Sequence, residues 1–97
     1  MSGIIRVTPA ELEGMSARYN NESSQVEDQL SRLDRMIEEL QGMWEGESSR
    51  AFADQYVALR PSIVDMQRLL TEVSVQLKNT AHALADADSQ IASQIRG

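Results

Sequence analysis

The sequence predicts an all-α protein, an antiparallel hairpin of two long amphipathic helices that dimerises into a four-helix bundle. Aromatic residues make up only 4% of the 97 residues, and the chain has five Gly and two Pro. β-Sandwiches and barrels use more aromatic, β-branched and turn residues than this. Apolar residues recur at steps of three and four along two long stretches, which is the helical period. A short segment with glycines separates the two stretches near the middle of the chain.

Charge and composition exclude several classes of function. The net charge of −6 disfavours binding to nucleic acid or anionic lipid. The chain has no cysteine, so we expect neither disulfides nor thiolate metal sites. No apolar run approaches the ~18 residues of a membrane-spanning helix, so stable membrane insertion is not expected. Residues 1–7 read as a short extended arm, too short for the apolar region of a cleavable signal peptide.

Helix 1 has a well-marked start and is predicted over about residues 9–43. Thr8 precedes Pro9, and Pro fits the first helical position because its missing N–H would be unpaired there anyway. Glu11 lies three residues after Thr8, which is the spacing of a capping box. One apolar stripe follows, and the other faces of the helix carry polar residues, which indicates a helix that packs through one side.

The chain reverses at a turn predicted at about residues 44–47. Gly42 and Gly46 lie on either side of Trp44, and glycine can end a helix in a left-handed conformation. Helix 2 is predicted over about 48–95, and Pro61 should bend this helix without ending it. Together the two helices form one domain over residues 1–97. Because helix 2 is longer, helix 1 can cover it only to about residue 82.

The apolar stripes predict a dimer. Two helices alone leave each stripe with one neighbour, and a second hairpin would complete a four-helix bundle. A homodimer with two-fold symmetry is the default for one sequence, and a paralogue is the alternative partner. The expected seam of hairpin and dimer is made of Leu30, Leu33, Ile37, Leu40, Phe52, Tyr56, Leu59, Ile63, Met66, Leu70, Val73 and Leu77.

The central turn carries a Trp-x-Gly motif, Trp44-Glu45-Gly46. Alone this motif is weak, but here it lies midway along a chain of about 100 residues between two long helices. With the opening Val7–Leu12, the following Ser49–Phe52 and the stretch Leu69–Val73, the whole chain resembles the WXG-100 family. These are small proteins exported by bacterial type VII secretion systems. The short tail is similar to that of homodimeric members from Bacillota.

This resemblance implies a two-part export signal and a membrane-anchored secretion ATPase as partner. One part is the turn motif, Trp44 and Gly46. The other is a Tyr-x-x-x-Asp/Glu in the C-terminal helix, and here the nearest match has His82 in place of Tyr, followed by Asp86. Either His82 and Asp86 replace the usual pair, or they are a solvated pair four residues apart on the outer face.

No residue pattern predicts an enzyme, a metal site or a cofactor. His82 is the only histidine, which excludes a multi-histidine zinc site, and the absence of cysteine excludes a Cys-His dyad. The expected function is that of a secreted type VII substrate or component, virulence-associated or interbacterial, made in the bacterial cytoplasm and exported without a cleavable signal peptide. The alternative is a non-secreted helical adaptor or chaperone for a larger type VII effector.

Overall fold

The computed structural model describes residues 7–96 and consists of two helices, α1 (Pro9–Met43) and α2 (Glu47–Arg96). The helices lie antiparallel and side by side in a molecule of 77 × 26 × 15 Å. The all-α hairpin predicted from the sequence is therefore confirmed. The extended arm expected over residues 1–7 lies, apart from Val7, outside the described residues.

The start of α1 is fixed by a capping box at Thr8. The Thr8 hydroxyl accepts a hydrogen bond from the Glu11 backbone N–H at 3.1 Å, and the Glu11 carboxylate accepts one from the Thr8 N–H at 3.0 Å. These bonds satisfy two backbone donors that have no partner within the helix. The capping box predicted from the sequence is confirmed.

The end of α1 lies at Met43, one residue after Gly42. This glycine lies inside α1 and does not adopt a left-handed conformation. The helix continues to Met43 and is capped by the extended residue Trp44. Of the two glycines around Trp44, only Gly46 has a positive φ, because glycine permits a left-handed conformation but does not impose one.

The helix α2 continues through Pro61 and extends well past the cover of α1. It contains 50 residues against 35 in α1, which corresponds to about 75 Å against about 52 Å. Ala81 is buried and Leu84 half-buried, whereas residues 85–94 are exposed. The structure confirms that Pro61 does not end the helix and that α1 covers α2 only to about residue 82.

We expect the Thr8→Ala variant to lower the free energy of unfolding by about 1 kcal/mol, because the capping hydroxyl is lost. Thermal and urea melts followed by circular dichroism measure the change. The control is Thr80→Ala: the Thr80 hydroxyl bonds only the Gln76 carbonyl of its own helix, and alanine favours a helix interior. Equal melting of both variants would contradict the role of the cap.

Candidate functional site

The turn between the helices presents an aromatic pair at one tip of the molecule. Trp44 has extended backbone (φ −125°, ψ 106°), and its N–H donates to the Leu40 carbonyl at 2.9 Å. Its ring meets that of Phe52, with centroids 5.9 Å apart and planes inclined by 48°. The hairpin leaves 36% of Trp44 and 77% of the neighbouring Met43 exposed. The motif tryptophan thus lies at an accessible tip.

Gly46 makes the reversal possible through its backbone. Its φ of +114° lies in the region that L side chains rarely adopt, and nothing within 4 Å would obstruct a Cβ. The requirement for glycine is therefore conformational and not a matter of space. The Gly46 carbonyl accepts from the Arg50 N–H at 3.3 Å, so Gly46 leads directly into α2.

The apolar seam residues that the hairpin leaves partly or fully exposed form one side of the molecule, which we call the open face. Of the twelve expected seam residues, only Leu30 is buried within the hairpin. Eight are half-buried: Leu33, Ile37, Leu40, Tyr56, Ile63, Leu70, Val73 and Leu77. The other three are exposed: Phe52 by 44%, Leu59 by 57% and Met66 by 50%. Within the single hairpin, most of these side chains therefore remain in partial contact with solvent.

The contact between the two helices is lined by hydroxyl groups that the sequence prediction missed. Ser16 and Ser74 are buried and bond each other reciprocally. The Ser16 hydroxyl donates to the Ser74 carbonyl at 2.7 Å, and the Ser74 hydroxyl donates to the Ser16 carbonyl at 2.8 Å. Seven residues further along α1, the buried Ser23 shares a hydroxyl bond of 2.7 Å with Thr71. We call Ser16, Ser23, Thr71 and Ser74 the hydroxyl seam.

A signal for this seam does exist in the sequence. Ser16, Ser23 and Leu30 recur every seven residues, as do Ser74 and Ala81, and all five are buried. Such a repeat is the spacing of helix-to-helix contacts. A search restricted to large apolar residues does not find it, because small polar residues occupy most of the positions.

Nearer the turn, Asp34 joins the helices through a half-buried polar cluster. Its carboxylate accepts from the Arg60 guanidinium at 3.0 and 2.9 Å and from the Tyr56 hydroxyl at 2.5 Å. The Arg60 bonds, with help from Tyr56, lower the pKa of Asp34 to about 2. Burial and the neighbouring Asp34 carboxylate raise the pKa of Tyr56. Asp34 and Arg60 therefore stay ionised and bonded at neutral pH, with Tyr56 as a neutral donor.

The two residues of the suspected C-terminal signal do not form a pair with each other. His82 Nε2 lies 3.5 Å from the Glu13 carboxylate of α1, whereas Asp86 is exposed in the part of α2 that α1 does not cover. The neighbour of the His82 ring is therefore a carboxylate of the other helix. Asp86 lies free of the hairpin seam.

Within residues 7–96, no group of His, Asp and Glu side chains is arranged to hold a metal ion. None of the helices in this range is both long and apolar enough to cross a membrane. The surface features that remain are the aromatic tip, the open face and the projecting end of α2.

We expect the Asp34 cluster to give a pH-dependent contribution to stability. The pKa of Asp34 is about 2 in the folded chain and ~3.9 in an unfolded one. A carboxyl group with a lowered pKa stabilises the fold when the pH is above the pKa of the unfolded chain. This contribution is lost as the pH falls towards 2. The melting temperature of Asp34→Asn should therefore lie below wild type at neutral pH and approach it at about pH 2.

The matched control is Asp65→Asn, since Asp65 pairs only with Arg68 three residues away on the exposed side of α2. Melts are compared at one protein concentration, because association changes apparent stability. A gap between Asp34→Asn and wild type that stays constant from pH 7 to 2 would contradict the pairing.

Comparisons with known proteins agree with the geometry of hairpin and tip. Residues 4–89 match the family model described as proteins of 100 residues with WXG. The chain is 54% identical to protein YukE of Bacillus subtilis over 100% of both chains. It is 32% identical to type VII secretion system extracellular protein A of Staphylococcus aureus over 93% of both.

Solved structures give the same result. The crystal structure of Geobacillus thermodenitrificans EsxA matches with a TM-score of 0.87 and 56% identity, covering 94% of this chain and 100% of that one. A structure of the secreted protein EsxB from Bacillus anthracis matches with a TM-score of 0.79 and 25% identity, covering 90% and 99%. By sequence and by fold, the chain belongs to the WXG100 family.

Proposed function

We propose that this chain is a secreted component of a bacterial type VII secretion system and acts as a dimeric helical interaction module. The observation that carries the proposal is the Trp44 tip on a hairpin that matches an extracellular type VII protein along nearly its whole length. The relatives described as extracellular or secreted favour export of this chain. They do not favour the alternative of a non-secreted adaptor.

The open face supports dimerisation. Leu59 and Met66 are at least half exposed in the single hairpin, although burying such a side chain contributes about 1.5–3 kcal/mol. Both helices contribute to this face, so a second hairpin can cover all of it at once and form a four-helix bundle. A second copy is the simplest partner, since a two-fold axis lets the same face cover itself.

The accessible tip supports a role in recognition by the export machinery. Trp44 is large, partly exposed and held in place by Phe52, and aromatic residues of this kind often dominate binding energy in interfaces. We assign Trp44 and Gly46 to the contact with a membrane-anchored type VII ATPase. Gly46 acts indirectly, since its φ of +114° sets the direction of the turn.

The projecting end of α2 is proposed as the second recognition element. Asp86 is fully available there, whereas His82 is held near Glu13. If His82 takes the place of the usual tyrosine, its contact with Glu13 leaves the ring accessible from the outer side. No enzymatic role is proposed.

The dimer is tested by placing a charge on the open face. Leu70→Asp should abolish the dimer and lower the helical content, because an unpaired carboxylate costs several kcal/mol to bury. Leu69→Asp is the matched control, since Leu69 is the next residue and is 57% exposed. Light scattering and circular dichroism read out the result. A wild-type dimer with Leu70→Asp, or a wild-type chain that stays a folded monomer, would contradict the proposal.

Export is tested by Trp44→Ala. We expect the variant to remain a folded dimer with a small loss of melting temperature, yet to be absent from the culture medium. The control is Leu69→Ala, which shortens another exposed apolar side chain far from the tip. Immunoblots of cells and medium give the export ratio. Normal export of Trp44→Ala would contradict a role of Trp44 in recognition and leave it only a role in packing.

The projecting end is tested in the same assay by His82→Ala with Asp86→Ala. Loss of export with an intact dimer is expected. Asp88→Ala serves as the control, because Asp88 is another exposed carboxylate on the same uncovered segment. Normal export of the double variant would show that His82 and Asp86 are not part of the export signal.

A further inference from the structure

The hydroxyl seam and the open face lie on different sides of the same helices. On α2, the residues that bond α1 include Arg60, Gln67 and Ser74, which are seven apart. The open-face residues Leu59 and Met66 are each one position earlier. One position corresponds to a rotation of about 100° around a helix. The side of α2 that carries Leu59 and Met66 is therefore turned away from α1, whereas Ile63, Leu70 and Leu77 of the same stripe remain half-buried.

This arrangement is not the one that hydrophobic burial favours in a single hairpin. If both helices rotated towards each other, their apolar stripes would meet, and side chains such as Leu59 and Met66 would lose contact with water. The hydrophobic effect is non-directional, so it would drive this rotation in the absence of a partner. Something directional must hold the helices in the observed orientation.

The bonds of Asp34 with Arg60 supply direction near the turn, and the reciprocal bonds of Ser16 and Ser74 supply it along the rest of the contact. Each hydroxyl reaches the backbone carbonyl of the opposite serine, at 2.7 and 2.8 Å, and the two hydroxyl oxygens are 3.1 Å apart. Turning either helix by one position would move these atoms by more than about 3 Å. The bonds would then break, and the serine hydroxyls would turn out of the contact towards water, so the rotation forfeits the pairing of the two helices at this point.

We infer that the hydroxyl seam is a rotational lock, with Ser16 and Ser74 as positioning residues that keep the apolar face turned outward for a second copy of this chain. The inference rests on the proposed dimer. Ser23 and Thr71 add a second bond, two helical turns away on α1. Two such bonds along the contact resist rotation of a whole helix better than one.

A cysteine pair tests the lock within a single variant. The chain has no cysteine of its own, so Ser16→Cys with Ser74→Cys introduces only one disulfide, and the serine oxygens are close enough for the sulfurs to meet. The oxidised form should dimerise as wild type does. Reduction should raise the dissociation constant of the dimer about tenfold, or about 1.4 kcal/mol, because thiols bond weakly.

A second variant removes the bonds without a crosslink. Ser16→Ala with Ser74→Ala deletes both hydroxyls together, a change that is nearly neutral for stability when no partner is left unpaired. We expect retained helical content and a dimer weakened about tenfold. The matched control is Ser24→Ala with Ser89→Ala, since both serines are exposed, one on each helix.

Sedimentation equilibrium measures the dissociation constants, and circular dichroism confirms that each variant is folded. Equal dissociation constants for the oxidised and reduced cysteine forms would overturn the lock and leave the dimer proposal intact. A cysteine pair that does not close on oxidation would contradict the seam geometry itself. A monomeric wild-type chain would instead overturn the proposed dimer, which separates the two failures.

Discussion

The structure depends on the angular offset between the hydroxyl seam and the apolar stripes. Ser16 and Ser74 occupy the line of contact between the helices. Most of the larger apolar residues therefore flank that line and remain partly exposed to solvent. The hairpin thus gains less hydrophobic stabilisation than its composition allows, and a chain of this size needs most of that gain to offset conformational entropy. Dependence on a partner follows directly from which residues fill the contact between α1 and α2.

The shortness of the turn explains why Trp44 stays at the surface. Only Trp44, Glu45 and Gly46 separate the helices, so the connection has no residues with which to cover an aromatic ring. Gly46 supplies the left-handed backbone, and Trp44 is left to pack on Phe52 of the next helix. A longer loop would have allowed the tryptophan to fold into the seam. The short turn keeps it at the surface.

Local features could be predicted from the sequence, and features that depend on the alignment of the helices could not. The Thr8 capping box and the long uncovered end of α2 follow from residues near each other in the chain. The bonds of Asp34 with Arg60 cross 26 positions, and no local rule gives that alignment. The seam serines were missed because serine has no fixed preference between surface and contact.

The difference in helix length separates the two elements assigned to export. Trp44 lies at one end of a molecule 77 Å long, while Asp86 lies near the other, beyond the cover of α1. No bending of a single hairpin brings these ends together. Two copies packed antiparallel through their open faces would place the tip of each beside the projecting end of its partner. In such a dimer, association would both bury the stripes and assemble the recognition surface, so an unpaired chain would present neither a complete core nor a complete signal.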